Sequence, residues 1–156
     1  MADRLNVVVG ITGGIAAYKA VGVARLLVKA GHDVHIVPTE NALRFVGLPT
    51  LEAISRNPAT TSLYDGVDSV RHVALGQSAD LVVIAPATAN TIAKLAHGLA
   101  DDLLGTTVLA SRAPVVVAGQ AAAPSLAPLG IVAVAGNHDH WTGIAALRRV
   151  LADGGV

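Results

Sequence analysis

The stretch that most constrains the fold is Leu81 to Ala85, an unbroken apolar run inside the segment Ala79 to Leu104. Apolar side chains at every position suit a parallel strand covered on both faces. Parallel strands need crossover connections, usually helical, so the chain reads as α/β. Pro86 is expected to stop this strand, because it has no N–H to give to a central ladder. Thr88, Asn90 and Thr91 then set hydroxyl and amide groups at the start of a helix from Thr91 to His97, closed by Gly98. In open parallel sheets, ligands bind beyond the carboxyl ends of the strands. A small-molecule site in this chain is therefore expected to include Pro86 to Thr91.

The N-terminal third repeats the pattern. Leu5 to Ile11 reads as a strand, Thr12-Gly13-Gly14 as a turn, Ile15 to Ala30 as a helix closed by Gly31, and His32 to Val37 as a second strand. Such a unit is parallel and right-handed. The glycine pair would let backbone N–H groups approach a ligand, with the helix N-terminus favouring an anion. The same pair could instead mark a tight turn needing positive φ. The turn reads Gly10-x-Thr12-Gly13-Gly14, not G-x-G-x-x-G, and the second strand ends in Val37-Pro38-Thr39 with no acid at its tip. Glu40, one residue on, is a weak candidate for holding a ribose diol. A Thr39 hydroxyl suits a phosphate better, which favours a mononucleotide over NAD.

Further along, Asn41 to Val46 and Pro49 to Ser55 read as short helices, Asn57-Pro58 as a turn and Thr60 to Tyr64 as a weak edge strand. Asp65 to Ser69 is polar loop, and His72 follows, upstream of the central strand. Imidazole is among the few side chains that exchange a proton near neutrality. Asp101 to Ser111 reads as a helix with acids in its first turn, Pro114 to Ala118 and Ile131 to Val134 as strands, and Thr142 to Ala152 as a terminal helix. Gln120 to Pro128 is an Ala- and Pro-rich connection. The expectation is one domain, residues 1–156, with a doubly wound parallel sheet in a Rossmann- or flavodoxin-like three-layer sandwich.

Composition narrows the function. The chain is 53% apolar and 14% charged, where about a quarter charged is ordinary, so part of its surface is expected to be hidden in a homo-oligomer. Lys plus Arg equals Asp plus Glu at 11 each, which speaks against nucleic acid or an anionic membrane as partner. No secretory signal or membrane span is evident. The chain has no cysteine, hence no disulfide, thiolate zinc site or cysteine nucleophile. A cytoplasmic protein is expected. His138-Asp139-His140 lacks a third ligand, so no metal is assigned. No G-x-S-x-G or phosphate-binding lysine motif supports a hydrolase.

Three stretches resemble the homo-oligomeric flavin-containing cysteine decarboxylases, a family that includes phosphopantothenoylcysteine decarboxylase and peptidyl-cysteine decarboxylases. Gly10-Ile11-Thr12-Gly13-Gly14-Ile15-Ala16-Ala17-Tyr18-Lys19 is close to the opening of the pantothenate-pathway enzymes. Pro86-Ala87-Thr88-Ala89-Asn90-Thr91 differs by one residue from the family's Pro-Ala-Ser-Ala-Asn-Thr. His72 stands where the family keeps a catalytic histidine, and Thr39, Ala42 and Phe45 match its flavin-phosphate segment. The resemblance covers roughly residues 5 to 118.

It implies FMN as cofactor, with phosphate at Thr12, Gly13, Gly14, Ile15 and Thr39, Phe45 in the same segment, and the flavin ring by Pro86, Ala87 and Thr88. It also implies that His72 acts as base or proton shuttle, that Asn90 orients substrate or flavin, and that subunits assemble as a trimer or dodecamer. The family's reaction oxidises a cysteine at Cβ and releases carbon dioxide to leave an enethiol. The chain departs from the family after residue 118. Ala118 to Ser125 replaces Pro-x-Met-Asn-x-x-Met-Trp, whose Asn grips the substrate carboxylate. Without cysteine, the chain also lacks the lid thiol that the family uses to re-reduce the enethiol. The sequence expectation is therefore oxidative decarboxylation of a peptide's C-terminal cysteine. The alternatives are decarboxylation of phosphopantothenoylcysteine, or a flavin-binding subunit without catalysis.

Overall fold

A computed structural model describes residues 4–64, 71–119 and 131–135. Five strands form one parallel sheet: β1 (Asn6–Ile11), β2 (Asp33–Pro38), β3 (Leu81–Ala87), β4 (Val115–Gly119) and β5 (Ile131–Ala135). Their order across the sheet is β2-β1-β3-β4-β5. The connections are α1 (Ala17–Lys29), a 3-10 turn (Glu40–Arg44), α2 (Leu48–Ser55), α3 (Arg71–Ser78), α4 (Ala89–Ala96) and α5 (Leu103–Ala110).

Strand alternation sorts the core into two layers. Val7, Val9 and Ile11 of β1 face one side, with Val34 and Ile36 of β2 and Leu81 and Val83 of β3. They pack under Ala20, Ala24 and Leu27 of α1 and Leu51 of α2. Val8, Val82, Ile84, Val115 and Val117 point the other way, onto Ile92 of α4 and Leu103 and Leu104 of α5. Both faces are covered, as the doubly wound reading requires. Successive crossovers leave in opposite directions on either side of β1, so the crevice between the carboxyl ends of β1 and β3 is the topological switch point.

Several expectations are corrected. Pro86 does not end its strand. Ile84 pairs with Val117 and Ala87 with Gly119, so β3 spends an extra residue across this interval. Pro86 sits in that bulge, where the ladder asks no N–H of it. Thr60 to Tyr64 forms no strand; Ser62 N–H donates to Thr60 Oγ1 and Tyr64 N–H to Ser62 Oγ, so side-chain turns hold it instead. Arg71 to Ser78, to which the sequence reading assigns no element, is a helix preceding β3. Asp102 lies outside the first turn of α5 and caps it, accepting from Gly105 N–H at 2.7 Å. Asp101 instead pairs with Lys94 at 2.8 Å; that ion pair lowers the carboxyl's pKa and raises the ammonium's. The expected loop at 65–69, the connection 120–128, the terminal helix and the His138–His140 pair lie outside the described residues.

Gly31 closes α1 with φ +97° and Gly98 follows α4 with φ +67°. The glycine pair after β1 does not adopt positive φ. Gly13 is required for space: a Cβ there would lie 2.4 Å from Asn41 Cβ and 2.8 Å from the Asn41 carbonyl carbon. The close approach is therefore between two loops of the chain itself.

Candidate functional site at the carboxyl edge of the sheet

The crevice between β1 and β3 gathers most of the residues picked out in the sequence. After β1 come Thr12, Gly13, Gly14 and Ile15; after β3 come Thr88 and, in the first turn of α4, Asn90. A Cβ on Gly14 would stand 3.9 Å from both Pro86 Cγ and Thr88 Cγ2, so the turn and the second loop line the same cleft. Thr39 joins from β2: its N–H donates to Ile11 carbonyl at 2.9 Å, and it begins the 3-10 turn whose Asn41 touches Gly13. Phe45 ends that turn, half of its surface exposed.

The start of α1 is left open to an anion. Its N-cap is Ala16, which has no side chain to cap with. Thr88 caps α4 and Asp102 caps α5. Among the described residues, the backbone N–H groups of Gly13, Ile15 and Ala16 find no acceptor, and the Thr39 hydroxyl has no partner. Unpaired N–H groups at the positive end of a helix dipole, with a hydroxyl beside them, are the donor set a phosphate monoester needs. A mononucleotide phosphate fits this cradle.

Two residues play other parts than a side-chain contact would suggest. The Thr12 side chain is 1% exposed and donates to Pro86 carbonyl at 2.5 Å, so its proton is already committed. Ala87 is buried, with its methyl packed among Ile92 and the β4 residues, so it can offer the cleft only main chain. Asn90 is exposed, its amide free for a ligand among the described residues. His72 is half-buried in the first turn of α3, the end that rises from Ser78 toward the carboxyl edge. It has no hydrogen bond to the cleft residues among the described ones, so the structure does not join it to them directly.

Sequence reasoning missed Asn41, whose main chain wedges against Gly13, and the second role of Thr12. Neither carries a local signal: each depends on a partner brought in from another strand. No group of three potential metal-ligating side chains is clustered among the described residues, and none of their helices is long and apolar enough to cross a membrane.

Comparison with known proteins decides the family. The Flavoprotein family model matches residues 1–136. The chain belongs to that family. The coenzyme A biosynthesis bifunctional protein CoaBC of Mycolicibacterium smegmatis is 57% identical over 118 residues, which is 76% of this chain and 28% of that protein. CoaBC of Bacillus subtilis is 44% identical over 120 residues, 76% of this chain and 30% of that protein. The chain thus spans under a third of the length of the curated relatives it matches. Among solved structures, the FMN-dependent cysteine decarboxylase SpaF superposes with a TM-score of 0.79 at 29% identity, over 98% of each chain. A PPC decarboxylase variant superposes with a TM-score of 0.79 at 26% identity, over 97% of this chain and 99% of that one. The resemblance to the flavin-containing cysteine decarboxylases, read from the motifs, is borne out.

Proposed function

We propose that this chain binds FMN in the β1/β3 crevice and decarboxylates phosphopantothenoylcysteine, as a step of coenzyme A biosynthesis. The observation that carries the substrate is the 57% identity to the coenzyme A biosynthesis protein CoaBC, against 29% to the FMN-dependent cysteine decarboxylase SpaF. The peptide substrate expected from the sequence is thus the less well supported of the two.

FMN when bound supplies a hydride acceptor for oxidising the substrate's cysteine at Cβ. The chain's own residues divide the remaining work. Gly13, Ile15 and Ala16 N–H groups and the Thr39 hydroxyl hold the phosphate; Pro86 and Thr88 flank the ring. Asn90 presents its amide to substrate or flavin, and His72 takes or returns a proton. Exposed apolar side chains where the glycine turn enters α1, Ile15 68% and Tyr18 61% exposed, support assembly into a trimer or dodecamer that would cover them.

A second reading has one observation in its favour. The chain contains no cysteine, so it has no thiol with which to re-reduce an enethiol. A reaction stopping there suits a cysteine-ended peptide. Purified protein offered both substrates separates the readings. Loss of carbon dioxide from phosphopantothenoylcysteine, together with the two hydrogens passed to the flavin where the enethiol is not re-reduced, supports the first; the same loss from the peptide alone would replace it with the second. Binding of FMN with neither conversion would leave a flavin carrier.

A further inference from the structure

In a parallel ladder, a residue donates its N–H to one carbonyl of the neighbouring strand and accepts on its own carbonyl an N–H from two residues further along. Thr12 N–H donates to Pro86 carbonyl at 3.3 Å, so the matching donor is Thr88 N–H. The Thr12 carbonyl is not there to receive it. It is taken by Gly14 N–H at 3.0 Å, because the chain turns at this point toward α1. The hydroxyl takes the carbonyl's place: Thr88 N–H donates to Thr12 Oγ1 at 2.9 Å, and Oγ1 donates to Pro86 carbonyl at 2.5 Å. The residue is buried, so water does not compete for either bond.

We propose, on the flavin reading given above, that Thr12 is a positioning residue whose hydroxyl stands in for a main-chain carbonyl and locks the Pro86–Asn90 loop against the glycine turn. Its proton is spent on Pro86, so it has none for a phosphate. Thr88, fixed at its N–H, caps α4 through Thr91 N–H at 3.4 Å and bonds the Thr91 hydroxyl at 3.1 Å. Asn90 stands between those two residues. Thr12 therefore sets the spacing between the phosphate end of the cleft and the end that carries Asn90.

Thr12→Val keeps the shape and removes the hydroxyl; Thr12→Ser keeps the hydroxyl. FMN and riboflavin, which differ by the phosphate, are titrated against each protein, with thermal midpoints of the apoproteins alongside. In Thr12→Val both flavins weaken by the same factor, about tenfold or more, leaving their ratio unchanged, and Thr12→Ser stays near wild type. A loss confined to FMN would overturn the proposal, because the hydroxyl would then be a phosphate ligand. A lowered midpoint with both affinities intact would overturn it too, because the role would be structural only. Should Thr12→Val not fold, hydrogen exchange of the Thr88 amide in the wild-type apoprotein decides: slow exchange supports the lock and fast exchange removes it. Wild-type protein that binds neither flavin would sink the flavin site, whereas the Thr88 amide still reports on the lock.

Discussion

Three glycines within ten residues should respond to the same substitution in three different ways. Gly13→Ala would place a Cβ 2.4 Å from Asn41 Cβ, 2.8 Å from its carbonyl carbon and 3.0 Å from its carbonyl oxygen. Two of these atoms are main chain, so the clash cannot be relieved by a rotamer change, and the loops after β1 and β2 must separate. Overpacking of this kind costs about 1–3 kcal/mol, and rigid neighbours put Gly13→Ala toward the upper end. For a domain of this size that lowers the thermal midpoint by roughly 5 to 10 °C. Gly22 lies in α1, and a methyl added there would meet nothing within 4 Å, so Gly22→Ala should stabilise by about 0.5–1 kcal/mol through helix propensity. Gly14→Ala makes only ordinary contacts with Pro86 and Thr88; it should fold normally but narrow the cleft and weaken FMN. Adding Asn41→Gly to Gly13→Ala should restore only part of the loss, since the carbonyl contact remains. Differential scanning calorimetry and FMN titration on the four variants measure this. A Gly13→Ala midpoint equal to wild type would refute the close-approach argument.

Gly76→Ala should be still more damaging to folding, because its Cβ would sit 2.5 Å from Thr107 carbonyl oxygen and 2.9 Å from Ala110 Cβ, where α3 crosses α5; soluble yield and midpoint should fall well below those of a surface variant such as Gln77→Ala. Asp102→Ala removes the α5 cap and should cost about 1 kcal/mol by urea unfolding. The Asp33 carboxyl is held below its usual range, first by the Asn57 amide and then by the charges of His35 and Arg4. Its folded pKa is depressed, so its stabilisation is present above the unfolded value and is lost as acid protonates it. Wild type should therefore lose stability more steeply than Asp33→Asn below about pH 4, and parallel curves would show that Asp33 contributes nothing.

Much of the architecture could be read from the chain because it is written in local runs. The Val-rich stretches at 7–9, 82–83 and 115–117 are buried on both faces, and each coincides with a central strand. Gly31 and Gly98 mark the ends of their helices through backbone conformation that other residues rarely adopt. What could not be read depends on partners far apart in sequence. Gly76 goes unremarked in the sequence, because the reason for it is Thr107 and Ala110 of α5, which leave no room for a Cβ at that point of α3. Pro86 reads as a stop signal until β4 shows that the strand bulges around it. Thr12 reads as a phosphate ligand until β3 claims both sides of its hydroxyl. Asn41 gives no cue at all, because its effect is felt only at Gly13.

The most direct measurement is the visible spectrum of the purified protein followed through a titration with FMN. Flavin absorbance is expected, saturating at one FMN per chain and with FMN held more tightly than riboflavin, since the open N–H groups of α1 reward the phosphate. A colourless protein that takes up no FMN, or one that binds riboflavin equally well, would contradict the flavin site at the β1/β3 crevice.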